Sequence, residues 1–175
     1  MKNWKPIITF VFLLVLSVSS VQARSLRVVT SILDLQDIAK RIGGEQVTAS
    51  SLVTGSQDPH FIEPRPSMVA QARRADLFIV VGMELDVWAF SLIDAARSRN
   101  ITPGESGYLN ASARIEKLNV PEPGTRLDAS KGHVHPSGNP HYNLDPLNGV
   151  IVAETVAARL SELRPEQADY KVINH

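Results

Sequence analysis

The sequence lacks cysteine, any excess of charge of one sign, and an apolar run of the length that spans a membrane. Its 18 Lys and Arg residues balance its 18 Asp and Glu residues, so nothing indicates a basic surface and we expect no nucleic-acid partner. Without cysteine there is no disulfide framework, and the stability of the 175-residue chain has to come from an apolar core.

The amino-terminal residues have the pattern of an export signal. Lys2 and Lys5 precede an apolar run of about ten residues, and Val21-Gln22-Ala23 is a small-residue site of the kind that signal peptidase cleaves. We expect a signal peptide over residues 1–23 with cleavage after Ala23, the alternative being an uncleaved anchor. Because no cysteine follows the apolar run, we predict a periplasmic protein without a lipid anchor.

Strand and helix patterns alternate along the rest of the chain. β-branched and apolar runs predict strands, and apolar residues at helical spacing predict helices. Alternation of this kind predicts an α/β fold with a mostly parallel sheet. The predicted strands are 26–30, 47–53, 77–81 and a short one near Tyr108, and the predicted helices are 33–42, 67–75, 85–96 and 146–163.

One loop between a predicted strand and a predicted helix has a composition suited to ligand binding. Residues 57–67 read QDPHFIEPRPS, in which prolines stiffen the chain around His60 and Ser67 can cap the next helix. In open α/β sheets, ligands bind beyond the carboxyl ends of the strands, where such loops lie. We therefore choose His60 as the first candidate ligand.

Four of the five histidines fall in predicted loops: His60, His133, His135 and His141. Neutral imidazole is a good ligand for zinc and other divalent metals, although a lone loop histidine is more commonly a solvated side chain. Three residues of the predicted strand–helix junction bear on the site, two of them with competing interpretations. Glu84 and Asp86 either face a crevice or form an exposed helix start, and Trp88 belongs to the core through its helical spacing.

Three segments, in order, resemble the zinc- and manganese-binding substrate-binding proteins of ABC transporters. Residues 57–67 resemble that family's Asp-Pro-His-x-x-Glu-Pro-x-Pro-Ser signature. Residues 75–88, ADLFIVVGMELDVW, resemble its next landmark, and residues 139–146, NPHYNLDP, resemble its Pro-His-x-Trp-x-Asp-Pro block, with Asn143 in place of the tryptophan.

The resemblance implies the amino-terminal lobe of a two-lobed periplasmic metal-binding protein. By this resemblance His60 and His141 are metal ligands, while His133 and His135 are possible accessory ligands, for Zn²⁺ or alternatively Mn²⁺. It implies no enzyme activity, and capture of the metal for delivery to a membrane ABC permease. The full two-lobed protein would act as a monomer.

In the family, the third and fourth ligands come from the second lobe, and this sequence stops at His175, soon after the helix that links the lobes. We therefore expect the second lobe to be absent or truncated. The expected division is a signal peptide over 1–23, the metal-binding lobe over 24–145, and the linking helix with the start of the second lobe over 146–175.

Three other functions remain open at this point. A metal-dependent adhesin or interaction protein would use the same fold. A zinc hydrolase would need a general base, for which Glu63 is the obvious carboxylate near His60, but the sequence has no His-Glu-x-x-His helix. A truncated product without function is the last.

Overall fold

A computed structural model of the chain describes residues 24–122, 124 and 135–167. The predicted signal peptide over 1–23 lies outside these residues, as do His133 and the carboxyl-terminal part of the predicted third segment. The predicted α/β class is confirmed, since strands and helices alternate through the described chain.

The centre of the fold is a four-stranded sheet in which all neighbouring strands are parallel. Its strands are β1 (Leu26–Thr30), β2 (Val47–Ser51), β3 (Leu77–Val80) and β4 (Tyr108–Asn110), in the order β2-β1-β3-β4. Val28 of β1 pairs with Ala49 on one side and Leu77 on the other. Because the strands are parallel, their carboxyl ends meet at one edge of the sheet, where loops can form a site.

Helices cover both faces of the sheet, which explains why every residue of β3 is buried. Helix α1 (Leu33–Gly43) and the long helix α4 (Pro146–Leu163) pack on one face through residues such as Leu35 and Val156. Helix α2 (Pro66–Arg73) and helix α3 (Trp88–Ala96) pack on the other face.

Helix α4 begins as predicted at Pro146, with the carboxylate of Asp145 accepting a hydrogen bond from the Leu147 amide at 2.9 Å. The first turn of α4 projects away from the sheet, since the Leu147 side chain is 75% exposed and the preceding Leu144 is 78% exposed. Among the described residues, no helix has both the length and the apolar character needed to cross a bilayer.

Two predicted helix starts are displaced in the structure. Helix α2 begins at Pro66 with Arg65 as its N-cap residue, so Ser67 lies inside the helix and the prediction that it caps the helix is wrong. Proline at the first helical position fixes φ and has no amide hydrogen to satisfy, so the helix can begin there without a side-chain cap. Helix α3 begins at Trp88 rather than at Leu85, because residues 83–87 form a turn that opens with left-handed backbone angles at Met83 and Glu84, with φ of 49° and 61°.

The buried carboxylate of Asp86 satisfies the backbone amides at the end of β3. It accepts hydrogen bonds from the amides of Val81 at 2.7 Å and Gly82 at 3.1 Å, and the residue is only 3% exposed. The interpretation of Asp86 as an exposed helix start is therefore wrong, because two backbone donors left at the strand end need a buried acceptor. Burial raises the pKa of Asp86, and its hydrogen bonds oppose that rise.

We predict that Asp86→Ala lowers the free energy of unfolding by about 2–4 kcal/mol, because it leaves two amides at the strand end without an acceptor. Urea denaturation at neutral pH measures the effect. Asp94→Ala is the matched control, since Asp94 is exposed on α3 and its loss should cost less than about 0.5 kcal/mol. Equal losses in the two variants would contradict the role assigned to Asp86.

Candidate metal centre

His60 lies in the loop between β2 and α2, and this loop is anchored at its start and again at Pro59, directly before the histidine. Leu52 and Val53 extend the line of β2, their amides donating to the carbonyls of Thr30 at 2.9 Å and Ser31 at 3.1 Å. Farther along, the indole Nε1 of Trp88 donates to the Pro59 carbonyl at 2.7 Å. Trp88 is a core residue, as predicted, and it also fixes the position of the histidine loop.

The imidazole of His60 is oriented by Asp58, two residues before it. The Asp58 Oδ1 atom lies 2.8 Å from His60 Nδ1 and also accepts from the His60 amide at 2.9 Å. A carboxylate can only accept, so the proton is placed on Nδ1 and the lone pair on Nε2. Metal-binding histidines are typically oriented by a carboxylate in this way, because the carboxylate fixes the tautomer and raises the basicity of the imidazole.

The 3-10 helix His141–Leu144 places the second candidate histidine just before α4. The Asn139 Oδ1 atom accepts from the His141 amide at 3.0 Å, and Tyr142, the next residue, is buried and donates its hydroxyl to the Val81 carbonyl at 2.9 Å. Burial, and next the charge of Asp86, raise the pKa of Tyr142, so its hydroxyl remains a donor at neutral pH. The carbonyl at the end of β3 thus fixes the segment that carries His141.

The structure brings three of the four predicted histidines together. The His60 ring centroid lies 5.3 Å from that of His135 and 5.3 Å from that of His141, with the His60 and His135 planes nearly parallel at 27°. His133 lies outside the described residues. Within the described ranges, no group of three or more His, Asp or Glu side chains is arranged closely enough to hold a metal ion. The three imidazoles therefore form a cluster of potential ligands without a complete coordination shell among the described residues.

Two cavities are lined by residues of the loops that follow the strands. One, of about 270 Å³, is lined by His141 together with Leu118 and Leu144. The other, of about 300 Å³, lies beyond β3 and β4 and is lined by polar groups that include Glu84 and Ser137. The crevice expected for a parallel sheet is therefore present, and His141 lines one of its two cavities.

Sequence reasoning did not predict several contacts that hold the site in place. Asp58 stood within the motif, but its contact with His60 depends on the turn that the loop makes. Asn143, which replaces the family's tryptophan, donates to the Asp34 carboxylate at 2.7 Å and thereby ties the His141 segment to α1. Glu63, the base that a hydrolase would need, is exposed.

Comparison with known protein sequences finds similarity to metal-transport proteins. A protein-family model described as zinc-uptake complex component A, periplasmic, matches residues 28–172. The chain is 30% identical over 135 residues to the metal ABC transporter substrate-binding lipoprotein ScbA of Streptococcus cristatus, covering 75% of this chain and 39% of the relative. It is 30% identical over 149 residues to the manganese ABC transporter substrate-binding lipoprotein PsaA of Streptococcus pneumoniae, covering 83% of this chain and 44% of the relative.

Solved structures agree with the fold. A crystal structure of a ZnuA deletion mutant with zinc bound matches with a TM-score of 0.67 and 27% identity, covering 83% of this chain and 50% of that one. The chain therefore spans less than half of the curated relatives described above and half of this structure. These similarities confirm the predicted type of α/β lobe and the predicted resemblance, and the matched proteins are metal-binding transport components, as expected for a protein that is not an enzyme.

The comparisons overturn the predicted localisation. We predicted a periplasmic protein without a lipid anchor, whereas the curated relatives are named lipoproteins, so the prediction is wrong. It rested on the absence of cysteine from a sequence that covers less than half of these relatives. An absence within part of a protein does not determine how the protein is held at a membrane.

We predict that Trp88→Phe weakens the anchor of the His60 loop, because phenylalanine cannot donate to the Pro59 carbonyl. Loss of about 1 kcal/mol should speed amide hydrogen exchange at residues 57–61 roughly 5-fold. Tyr142→Phe is the matched control, since it removes the hydrogen bond to the Val81 carbonyl instead. Exchange that is equally fast in both variants at 57–61 would contradict a specific role for Trp88.

Proposed function

Because this chain belongs to the family of zinc-uptake complex component A, we propose that it captures a divalent transition metal and hands it to a membrane ABC permease. The observation that carries this proposal is the approach of His60 and His141. Their rings lie 5.3 Å apart although they come from loops before β3 and after β4. Two imidazoles brought together from distant segments, at the edge where ligands bind in such sheets, are suited to one metal ion.

The surroundings of His60 support its role as a ligand. Its Nδ1 atom is engaged by Asp58 at 2.8 Å, so Nε2 is the nitrogen that would bind the metal. His60 is only 11% exposed, whereas Asp58 is 54% exposed. The aspartate is thus accessible to water while the imidazole it orients faces the histidine cluster, an arrangement that keeps the ligand fixed before the metal arrives.

We propose zinc as the preferred metal, with manganese as the alternative. The support is the donor set, since imidazole nitrogen suits zinc, whereas manganese is better suited by carboxylate, carbonyl and water oxygen. Similar proteins are named for both metals: the pneumococcal relative for manganese, and the deletion mutant was crystallised with zinc.

We further propose that His60 and His141 supply two ligands and that His135, with His133, is accessory. In this proposal the remaining ligands come from a second lobe, in line with the family resemblance and with a chain that spans less than half of its curated relatives. In this proposal the division of the chain is 1–23 for the signal peptide, 24–145 for the metal-binding lobe and 146–175 for the linking helix. The apolar side chains of Leu144 and Leu147, three and six residues after His141, are exposed, and in this proposal a second lobe covers them.

The sharpest test of the ligands compares histidine variants of the chain. We predict that His60→Ala and His141→Ala each weaken zinc binding by about 10-fold or more, because each removes an imidazole donor. Isothermal titration with zinc chloride measures the affinity. His175→Ala removes a histidine that is assigned no role and serves as the control. Unchanged affinity in both cluster variants would exclude them as ligands.

The metal itself is identified on protein isolated from the cells that make it. We expect native mass spectrometry to find one zinc ion per protein molecule, since zinc binds nitrogen-rich sites more tightly than manganese. Because zinc added during purification would give the same result, the buffers should contain no added metal. One manganese ion would overturn the preference for zinc but not metal capture, whereas protein without a transition metal would contradict both.

A further inference from the structure

Three consecutive residues just after β3 adopt left-handed backbone angles. The φ angles are 84° at Gly82, 49° at Met83 and 61° at Glu84. Glycine accepts such angles readily, but methionine and glutamate do not, and residues in these conformations persist only where the surrounding structure holds them. Such strain concentrates at functional sites, so this segment warrants a functional explanation.

The contacts around the segment show what holds it. Asp86 accepts from the Gly82 amide at 3.1 Å, and Met83 is 5% exposed within the core. With the two preceding residues held in this way, the side chain of Glu84 reaches across the crevice to Ser137. There the Oε1 atom accepts from the Ser137 hydroxyl at 2.6 Å and Oε2 accepts from the Ser137 amide at 3.1 Å.

Ser137 lies inside the turn that separates His135 from His141. The Gly138 amide donates to the His135 carbonyl at 3.1 Å, which closes a four-residue turn with Pro136 and Ser137 at its centre. Asn139, directly after the turn, donates its amide to the Leu118 carbonyl at 2.8 Å. Glu84, from the loop after β3, is therefore hydrogen-bonded to the central residue Ser137 of this turn.

We infer that Glu84 is a positioning residue for the histidine cluster: its carboxylate clamps the turn at Ser137 and so holds His135 beside His60. The inference rests on the proposed function, because positioning matters only if these histidines bind a metal. Both carboxylate oxygens of Glu84 are engaged by Ser137. Glu84 accordingly acts through the turn, and we do not count it among the metal ligands.

The first test is made without metal. The ring centroids of His60 and His135 are 5.3 Å apart, so we expect nuclear Overhauser contacts between the two rings in the parent chain. We expect these contacts to be lost in Glu84→Ala. Glu84→Gln keeps an acceptor for Ser137 and should retain much of the contact. Glu63→Ala is the control, since Glu63 is an exposed carboxylate three residues from His60 and should leave the contact intact.

The second test is titration with zinc chloride. Glu84→Ala and Ser137→Ala should each weaken zinc binding by about 10- to 100-fold, as is typical when a group that orients ligands is removed. The double variant should lose little more than either single variant, because the two residues act through one contact. Thermal unfolding of each variant confirms that the lobe is folded.

The outcomes separate the positioning role from the proposed function. If the ring contact is lost in Glu84→Ala but the parent chain binds no zinc, the positioning role holds and the proposed function fails. If the ring contact persists in Glu84→Ala, the positioning role is overturned, whether or not zinc affinity changes. A zinc affinity that falls while the contact persists would instead identify Glu84 as a ligand.

Discussion

The buried carboxylate of Asp86 is the contact on which the arrangement of the crevice depends. A parallel strand that ends inside a protein leaves amides that need acceptors, and here one side chain satisfies those of Val81 and Gly82. These hydrogen bonds help to fix the turn through Met83 and Glu84. Both residues have positive φ angles, which residues other than glycine usually avoid. Glu84 reaches the histidine turn only because the backbone leaves the strand in this direction.

The sequence predicted elements well where burial has a regular period. Strand β1 has the predicted bounds, and α4 runs over the predicted residues 146–163, because apolar spacing and an Asp-Pro start report the local structure directly. The sequence-based prediction failed where the structure of a residue is determined by a contact that is distant in sequence. Asp86 resembled an exposed helix start in sequence, and only the position of the β3 end shows that its carboxylate is needed inside.

The candidate site divides in the same way. The two histidines of the family motifs, His60 and His141, lie close together, as the resemblance implied for a shared metal, although their role as ligands stays a prediction. The Asp58 contact could have been inferred from its spacing to His60, since an aspartate two residues before a histidine often bonds back to the chain. The contact between Glu84 and Ser137 has no local sequence pattern, because it joins residues from separate loops.

Both histidine loops are attached to one short stretch of chain. Trp88 holds the His60 loop through the Pro59 carbonyl, and the Val81 carbonyl holds the His141 segment through Tyr142. Both loops are thus hydrogen-bonded to the stretch from Val81 to Trp88. Local unfolding of this stretch would break both contacts in one event. Both histidines would then lose their positions at once. Under the proposed function, the residence time of a bound metal would therefore depend on the stability of a segment that contains no histidine.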